Sequence, residues 1–232
     1  YGSLTMQPGA TLNAFLEFSG SGPASITTNG NTTGGLQIII TKTNNAVVTL
    51  NDNWSNLTGA SIVHRCGGLN LSGRTVDIAY YTSNINATRT VNISNATLNF
   101  NSYWDYRGTG KSLVSTGAHI TAPLINTDGM NYPWADITGV GTPFIVGTTF
   151  GQLTFTNTST TSGAGIGGTN IIRRLEFKGK AGVTGGANNI DTLILAGSRN
   201  YTFAGTNTIN NYLQALSSPC TGLSEIKGSP TG

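Results

Sequence analysis

Residues 69–78 read Leu-Asn-Leu-Ser-Gly-Arg-Thr-Val-Asp-Ile, and residues 91–100, 22 positions on, read Val-Asn-Ile-Ser-Asn-Ala-Thr-Leu-Asn-Phe. In both stretches apolar and polar residues alternate, the period of a strand with one buried face. The outward partner is repeatedly Asn, as in Leu69-Asn70-Leu71, Val91-Asn92-Ile93 and Leu98-Asn99-Phe100. The same shift carries Val47 and Thr49 onto Leu69 and Leu71, and Val91 and Ile93 onto Leu113 and Ser115. In a second phase, Val76 and Ile78 fall onto Leu98 and Phe100, then onto Ile120 and Ala122. In a third, Leu16 and Phe18 fall onto Ile38 and Ile40, then onto Ala60 and Ile62. Further along, Leu153 and Phe155 match Leu175 and Phe177, and Ile171 and Ile172 match Leu193 and Ile194.

Short strands punctuated by Gly, Asn and Ser, restarting at a fixed interval, describe a chain that winds coil upon coil. The expected fold is all-β: a parallel β-solenoid, in the form of a right-handed β-helix with about 22 residues per coil. About ten coils would fit the chain and make a rod on the order of 50 Å long. A β-sandwich also has many short strands, but nothing in it holds one offset in three separate phases.

Composition agrees. Gly, Thr, Asn and Ser supply 112 of 232 residues, and Glu occurs three times. These residues favour turns or compete for helical hydrogen bonds, so extensive helix is excluded. With 37% apolar residues and a net charge of +3 the chain can bury a core, which excludes wholesale disorder. No apolar run reaches the length of a membrane-spanning helix. Arg173, Arg174, Lys178 and Lys180 cluster within eight residues, and a solvated strand face accounts for them better than a nucleic-acid site.

Coils are expected over 1–125 and 151–232 of one continuous domain, separated by an irregular, aromatic loop passage at 126–150. The aromatic patches are Asn101-Ser-Tyr-Trp-Asp-Tyr-Arg107 and Met130-Asn-Tyr-Pro-Trp-Ala-Asp136. Insertions between coils bulge outward, often on a binding face. Tyr103, Trp104, Tyr106, Arg107, Tyr132 and Trp134 are therefore the candidate glycan contacts, against the alternative that aromatics anchor the loops. Tyr212–Leu216 is read as one helical turn.

Catalytic signals are sparse. His64 and Cys66 fall on one side of a strand, the minimum for a nucleophile pair, but no third group is placed to orient them. Cys66 and Cys220 are 154 residues apart. In one continuous rod that is about 30 Å, too far for a disulfide, so two unpaired thiols are expected. His and Cys lack zinc spacing, and no Asp-rich Ca²⁺ loop occurs. Asp105 with Arg107, and Asp128 with Asp136, could serve a polysaccharide-cleaving β-helix. Short salt bridges and Asx turns account for them more simply. The expectation is a protein that is not an enzyme, with no metal and no cofactor. Thr154, Thr156, Thr158 and Thr160 make a threonine row of the kind that binds ice, but one coil on stand Glu176, Lys178, Lys180 and Gly182. Nine Asn-x-Ser/Thr sequons, at Asn31, Asn53, Asn56, Asn70, Asn86, Asn92, Asn95, Asn157 and Asn200, reflect composition.

The stretches Gly67–Gly73, Ile93–Asn101, Asn189–Gly197 and Tyr201–Leu213, with Ser218–Ser229, resemble the very large surface adhesins of flavobacteria and related Bacteroidota in cadence and composition. That resemblance implies an extracellular, cell-surface protein in adhesion or gliding, exported by the type IX route and continuous with a longer chain. It also implies sugar on Asp-Ser/Thr-apolar triplets, for which Asp191-Thr192-Leu193 makes Thr192 the candidate. Expected partners are extracellular glycans or proteins, or further copies stacked head to tail, with neither nucleic acid nor membrane insertion.

Overall fold

A computed structural model describes residues 2–31, 34–159, 164–196, 200–216 and 225–228. Among them every regular element is a strand, and the strands stack in parallel as a β-solenoid of about nine turns, roughly 22 residues apart. The chain divides into two compact units, Tyr1–Ile120 and Thr121–Gly232.

The first unit carries β1 (Leu4–Thr5), β2 (Phe15–Gly20), β3 (Ala24–Thr27), β4 (Gln37–Lys42) and β5 (Val47–Leu50). The long β6 (Trp54–Asn70) follows, then β7 (Thr75–Asn84), β8 (Arg89–Asn92), β9 (Thr97–Arg107) and β10 (Lys111–Val114), with β11 (His119–Ala122) at the boundary. One stack runs β1, β3, β5, the end of β6, β8 and β10, with Leu69 opposite Val91 and Val91 opposite Leu113. A second runs β2, β4, the middle of β6 and the later halves of β7 and β9. The third joins the starts of β6, β7 and β9, with Trp54 opposite Val76, Val76 opposite Leu98 and Ile78 opposite Phe100. Val48, Leu50, Leu69, Val91, Ile38, Ile40, Ile62, Val76, Ile78 and Leu98 are buried, so each stack lends one apolar face to the interior.

Turns set the 22-residue step. Arg74 N–H donates to Leu71 O, Ala96 N–H to Ile93 O and Ala118 N–H to Ser115 O. The third residue of each turn, Gly73, Asn95 and Gly117, has φ of 66°, 55° and 68°, the left-handed conformation that Gly and Asn enter most readily. Successive turns are bonded too, Gly73 N–H to Ser94 O and Asn95 N–H to Thr116 O.

Some registers differ from the uniform shift. Val47 faces Gly68, and Val48 faces Leu69. Val47 and Val48 are both apolar, so alternation leaves the inward one open, and Val48 and Leu50 are the buried pair. Ile38 and Ile40 meet Ile62 and His64 rather than Ala60 and Ile62. A two-residue slip of this kind leaves the inward face unchanged.

The second unit contains β12 (Leu124–Asp128), β13 (Asn131–Ile137), β14 (Ile145–Val146), β15 (Thr149–Phe155), β16 (Ala164–Ile166) and β17 (Ile171–Phe177). It continues with β18 (Ala181–Thr184), β19 (Asn189–Ala196), β20 (Asn200–Ala204), β21 (Thr208–Leu216) and β22 (Glu225–Gly228). Strands β13, β15, β17, β19 and β21 form one parallel stack, and β16, β18, β20 and β22 another. Coil length varies here. Leu153 and Phe155 do face Leu175 and Phe177, but Ile171 and Ile172 face Asn189 and Ile190, a step of 18 residues, rather than Leu193 and Ile194.

Residues 101–107 belong to β9 and 131–137 to β13, so the aromatic patches are strands and not loops. Tyr212–Leu216 lies within β21, which is extended and not helical, paired along its length with β19.

Candidate functional site

Alternation along β9 sorts the first aromatic patch. Trp104 and Tyr106 are fully buried, while Tyr103 and Arg107 on the other face are half-buried. Inside, Trp104 stacks on Tyr81 with centroids 4.3 Å apart, and Tyr106 meets the Tyr81 and Trp104 rings at 61° and 54°. The Tyr106 hydroxyl donates to Ser112 O at 2.8 Å, and burial pushes its pKa up to about 12. These two rings form core and present no face to a ligand, which corrects the expectation that they contact glycan.

Beside them is a buried cation held by backbone carbonyls. Arg89 is wholly buried, with its guanidinium 5.3 Å from the Tyr106 ring centre. Nη1 donates to Ala87 O and Thr109 O, each at 2.9 Å, and Nη2 donates to Ser83 O at 3.0 Å and to Arg107 O. Ala87 and Thr109 are one coil apart, so the guanidinium ties neighbouring coils through carbonyl dipoles.

His64 is nearly inaccessible. Its Nε2–H donates to Gly67 O at 3.0 Å and its Nδ1 accepts from the Tyr81 hydroxyl at 3.0 Å. The carbonyl can only accept, so the neutral tautomer protonated at Nε2 fits both bonds. Burial is the main cause that lowers its pKa to about 4, with the Arg89 charge adding to it. Cys66 is a half-buried free thiol, and the imidazole is committed elsewhere, so the two do not form a nucleophile pair. Cys220 lies outside the described residues.

On the outer surface of the first unit, Tyr103 stacks on Tyr80 at 5.0 Å and 20°. Burial, then the neighbouring Tyr80 and Asp105, raise the Tyr103 pKa. Gln37 donates to the Tyr80 hydroxyl at 2.8 Å, and Arg107 grips Asp105 with two bonds of 2.7 Å. Arg107 and Asp105 share one face of β9, two residues apart.

In the second unit, Tyr132 is buried, hydrogen-bonded to Thr127 and stacked on Phe150 at 5.5 Å, so this ring too is core. Trp134 is 42% exposed and donates from Nε1 to Asp136 at 3.1 Å. Tyr132 and Trp134 have the same parity but opposite faces, because alternation breaks at Pro133, as it does in register at Gly151 and Arg173 on the next two coils. Thr192 is half-buried on β19, between Arg174 and Tyr212 in register. Arg173, Arg174 and Lys178 are exposed, and Arg174 pairs with Glu176 at 3.0 Å. Among the described residues no group of three His, Cys, Asp or Glu could hold a metal ion.

One feature of the second unit was not anticipated from the residues. Asn170 Nδ2 donates to Asn188 Oδ1, and Asn188 Nδ2 to Asn207 Oδ1, each at 2.9 Å. Oδ1 of Asn170 accepts from Thr148 N–H at 3.1 Å, so the ladder extends over four coils. Each Asn also donates to the carbonyl three residues back, at Gly167, Gly185 and Ala204. Its signal is a repeated tetrapeptide, Gly167-Gly-Thr-Asn170, Gly185-Gly-Ala-Asn188 and Ala204-Gly-Thr-Asn207. The second residue of each has φ near 80°, and at Gly186 an added Cβ would collide with the Gly168 carbonyl.

Comparisons of this chain with protein-family models, with curated proteins and with solved structures find no match.

Proposed function

We propose that this chain is a structural and interaction segment of an extracellular cell-surface adhesin, serving as a stiff β-solenoid stalk or contact surface in adhesion or gliding. The observation that carries the reading is coil-to-coil bonding on two levels. Backbone ladders join every stacked strand pair, and buried side chains, the Arg89 guanidinium and the Asn170–Asn188–Asn207 ladder, join coils again from within. Each coil contacts chiefly its neighbours, an arrangement suited to bearing load along a stack. Twelve cations against nine anions leave the outer surface nearly neutral, which disfavours DNA as a partner and leaves Asn and Thr amides and hydroxyls as the contact chemistry.

Protease shaving of intact cells of the producing organism tests this directly. Peptides of this chain should be released before lysis, and cells lacking the protein should attach less well to a surface. Release only after lysis would overturn the reading.

A further inference from the structure

Five outward side chains of the second unit line up in register across β13, β15, β17, β19 and β21. Trp134 is paired with Gln152, Gln152 with Arg174, Arg174 with Thr192 and Thr192 with Tyr212. Aromatic rings stand at both ends of the row, Trp134 at 42% and Tyr212 at 53% exposure, with an amide, a guanidinium and a hydroxyl between them. Strands stack about 4.8 Å apart, so the two rings are separated by on the order of 19 Å.

The row is held in place by one bond repeated on three successive coils. Trp134 Nε1 donates to Asp136, Gln152 Nε2 to Thr154 and Arg174 Nη2 to Glu176, each to the residue two further along its strand. Side chains fixed before a ligand arrives lose less conformational freedom on binding. Around the row the exposed Arg173, Arg174 and Lys178 are matched in number by Asp136, Glu176 and Asp191, so the surface suits an uncharged ligand rich in hydroxyls rather than a polyanion.

We infer that this row binds a linear, uncharged, β-linked polysaccharide lying across the strands. The rise of one extended β-linked hexose is close to the strand spacing, so successive sugars meet successive side chains. The terminal rings stack on the apolar faces of two sugars, and Gln152, Arg174 and Thr192 hydrogen-bond the hydroxyls between. This inference does not rest on the adhesin reading, since it concerns binding by the isolated chain.

The test is calorimetry and tryptophan fluorescence with neutral hexaoses and trioses of β-1,4-linked glucose, xylose and N-acetylglucosamine, and with hexagalacturonate as the anionic probe. The protein is the full chain with Thr192 verified as unmodified by intact mass. At least one neutral hexaose should bind, and its triose, too short to reach both rings, about tenfold more weakly. Trp134→Ala and Tyr212→Ala should each weaken the hexaose about three- to tenfold, and Arg174→Gln should weaken it as well. Tyr103→Ala, in the other unit, should leave binding unchanged, and circular dichroism should match wild type in every variant compared. No binding of any neutral hexaose at millimolar concentration, equal binding of triose and hexaose, tighter binding of hexagalacturonate, or undiminished binding in Trp134→Ala and Tyr212→Ala would each overturn the inference.

Discussion

The carboxamide of Asn170 donates to that of Asn188 across 2.9 Å, from one coil to the next, with 2% and 1% of the two residues exposed to solvent. Amides removed from water are costly unless bonded, and a chain of them polarises cooperatively. Asn188→Ala breaks two rungs of the ladder and should lower stability by about 2–4 kcal/mol. Urea unfolding of Asn188→Ala, Asn170→Ala and the double variant measures it. The double variant should lose less than the sum of the singles, and full additivity would show that the rungs act independently.

His64 makes stability depend on pH. Unfolded, the imidazole takes up a proton near pH 6.5, but folded it resists until about pH 4. Its contribution is therefore complete above about pH 6.5 and is lost progressively as pH falls towards 4, to a total of about 3 kcal/mol. His64→Gln can form similar hydrogen bonds without titrating. Urea midpoints between pH 7 and 4 should fall more steeply in wild type than in this variant, and parallel curves would contradict the assignment.

Arg89 has carbonyls from two coils around one planar cation. Arg89→Met fills much of the volume and leaves those oxygens in a dry interior, which should cost about 3 kcal/mol or more. Arg89→Lys should recover less than half of that, because three donors on one nitrogen cannot span the fork. Thermal melting of both variants decides it, and a lysine variant as stable as wild type would mean that charge alone suffices.

Trp104 and Trp134 separate core from surface. Trp104→Ala should destabilise by about 3–5 kcal/mol through the cavity it opens, and Trp134→Ala by less than about 1 kcal/mol. Chemical denaturation of the two variants gives the comparison. Equal losses would place Trp134 in the packing as well.

The stacking was legible in the residues wherever coils keep one length, as from Leu69–Ile78 to Val91–Phe100, because the turns at Gly73 and Asn95 repeat with them. It faded where coil length changes, and a fixed shift cannot register a step of 18 at Ile171 and Asn189. The same variation hides the asparagine ladder from any single offset, although its Gly-x-Asn signal is local. Within the candidate site, Tyr103-Trp-Asp-Tyr-Arg107 already alternates, and read as a strand it would have set Trp104 and Tyr106 inside and Tyr103 outside. Arg89 shares the inward parity of Val91, which marks it as a buried charge. Trp134 was not legible as the outward ring of its pair, since the alternation reverses at Pro133 and, in register with it, at Gly151 and Arg173 on the next coils, three residue types with no common mark.

The stacked turns make the first unit divisible. Leu71 and Gly73 donate to Asn92 and Ser94, and Ile93 and Asn95 donate to Val114 and Thr116 in the same way. Excising Thr75–Ala96 would bring Thr97 to the place of Thr75, and Leu71 and Gly73 would find Val114 and Thr116 waiting as acceptors. A chain built this way can lose or gain a whole coil with the turn bonds at the seam already matched.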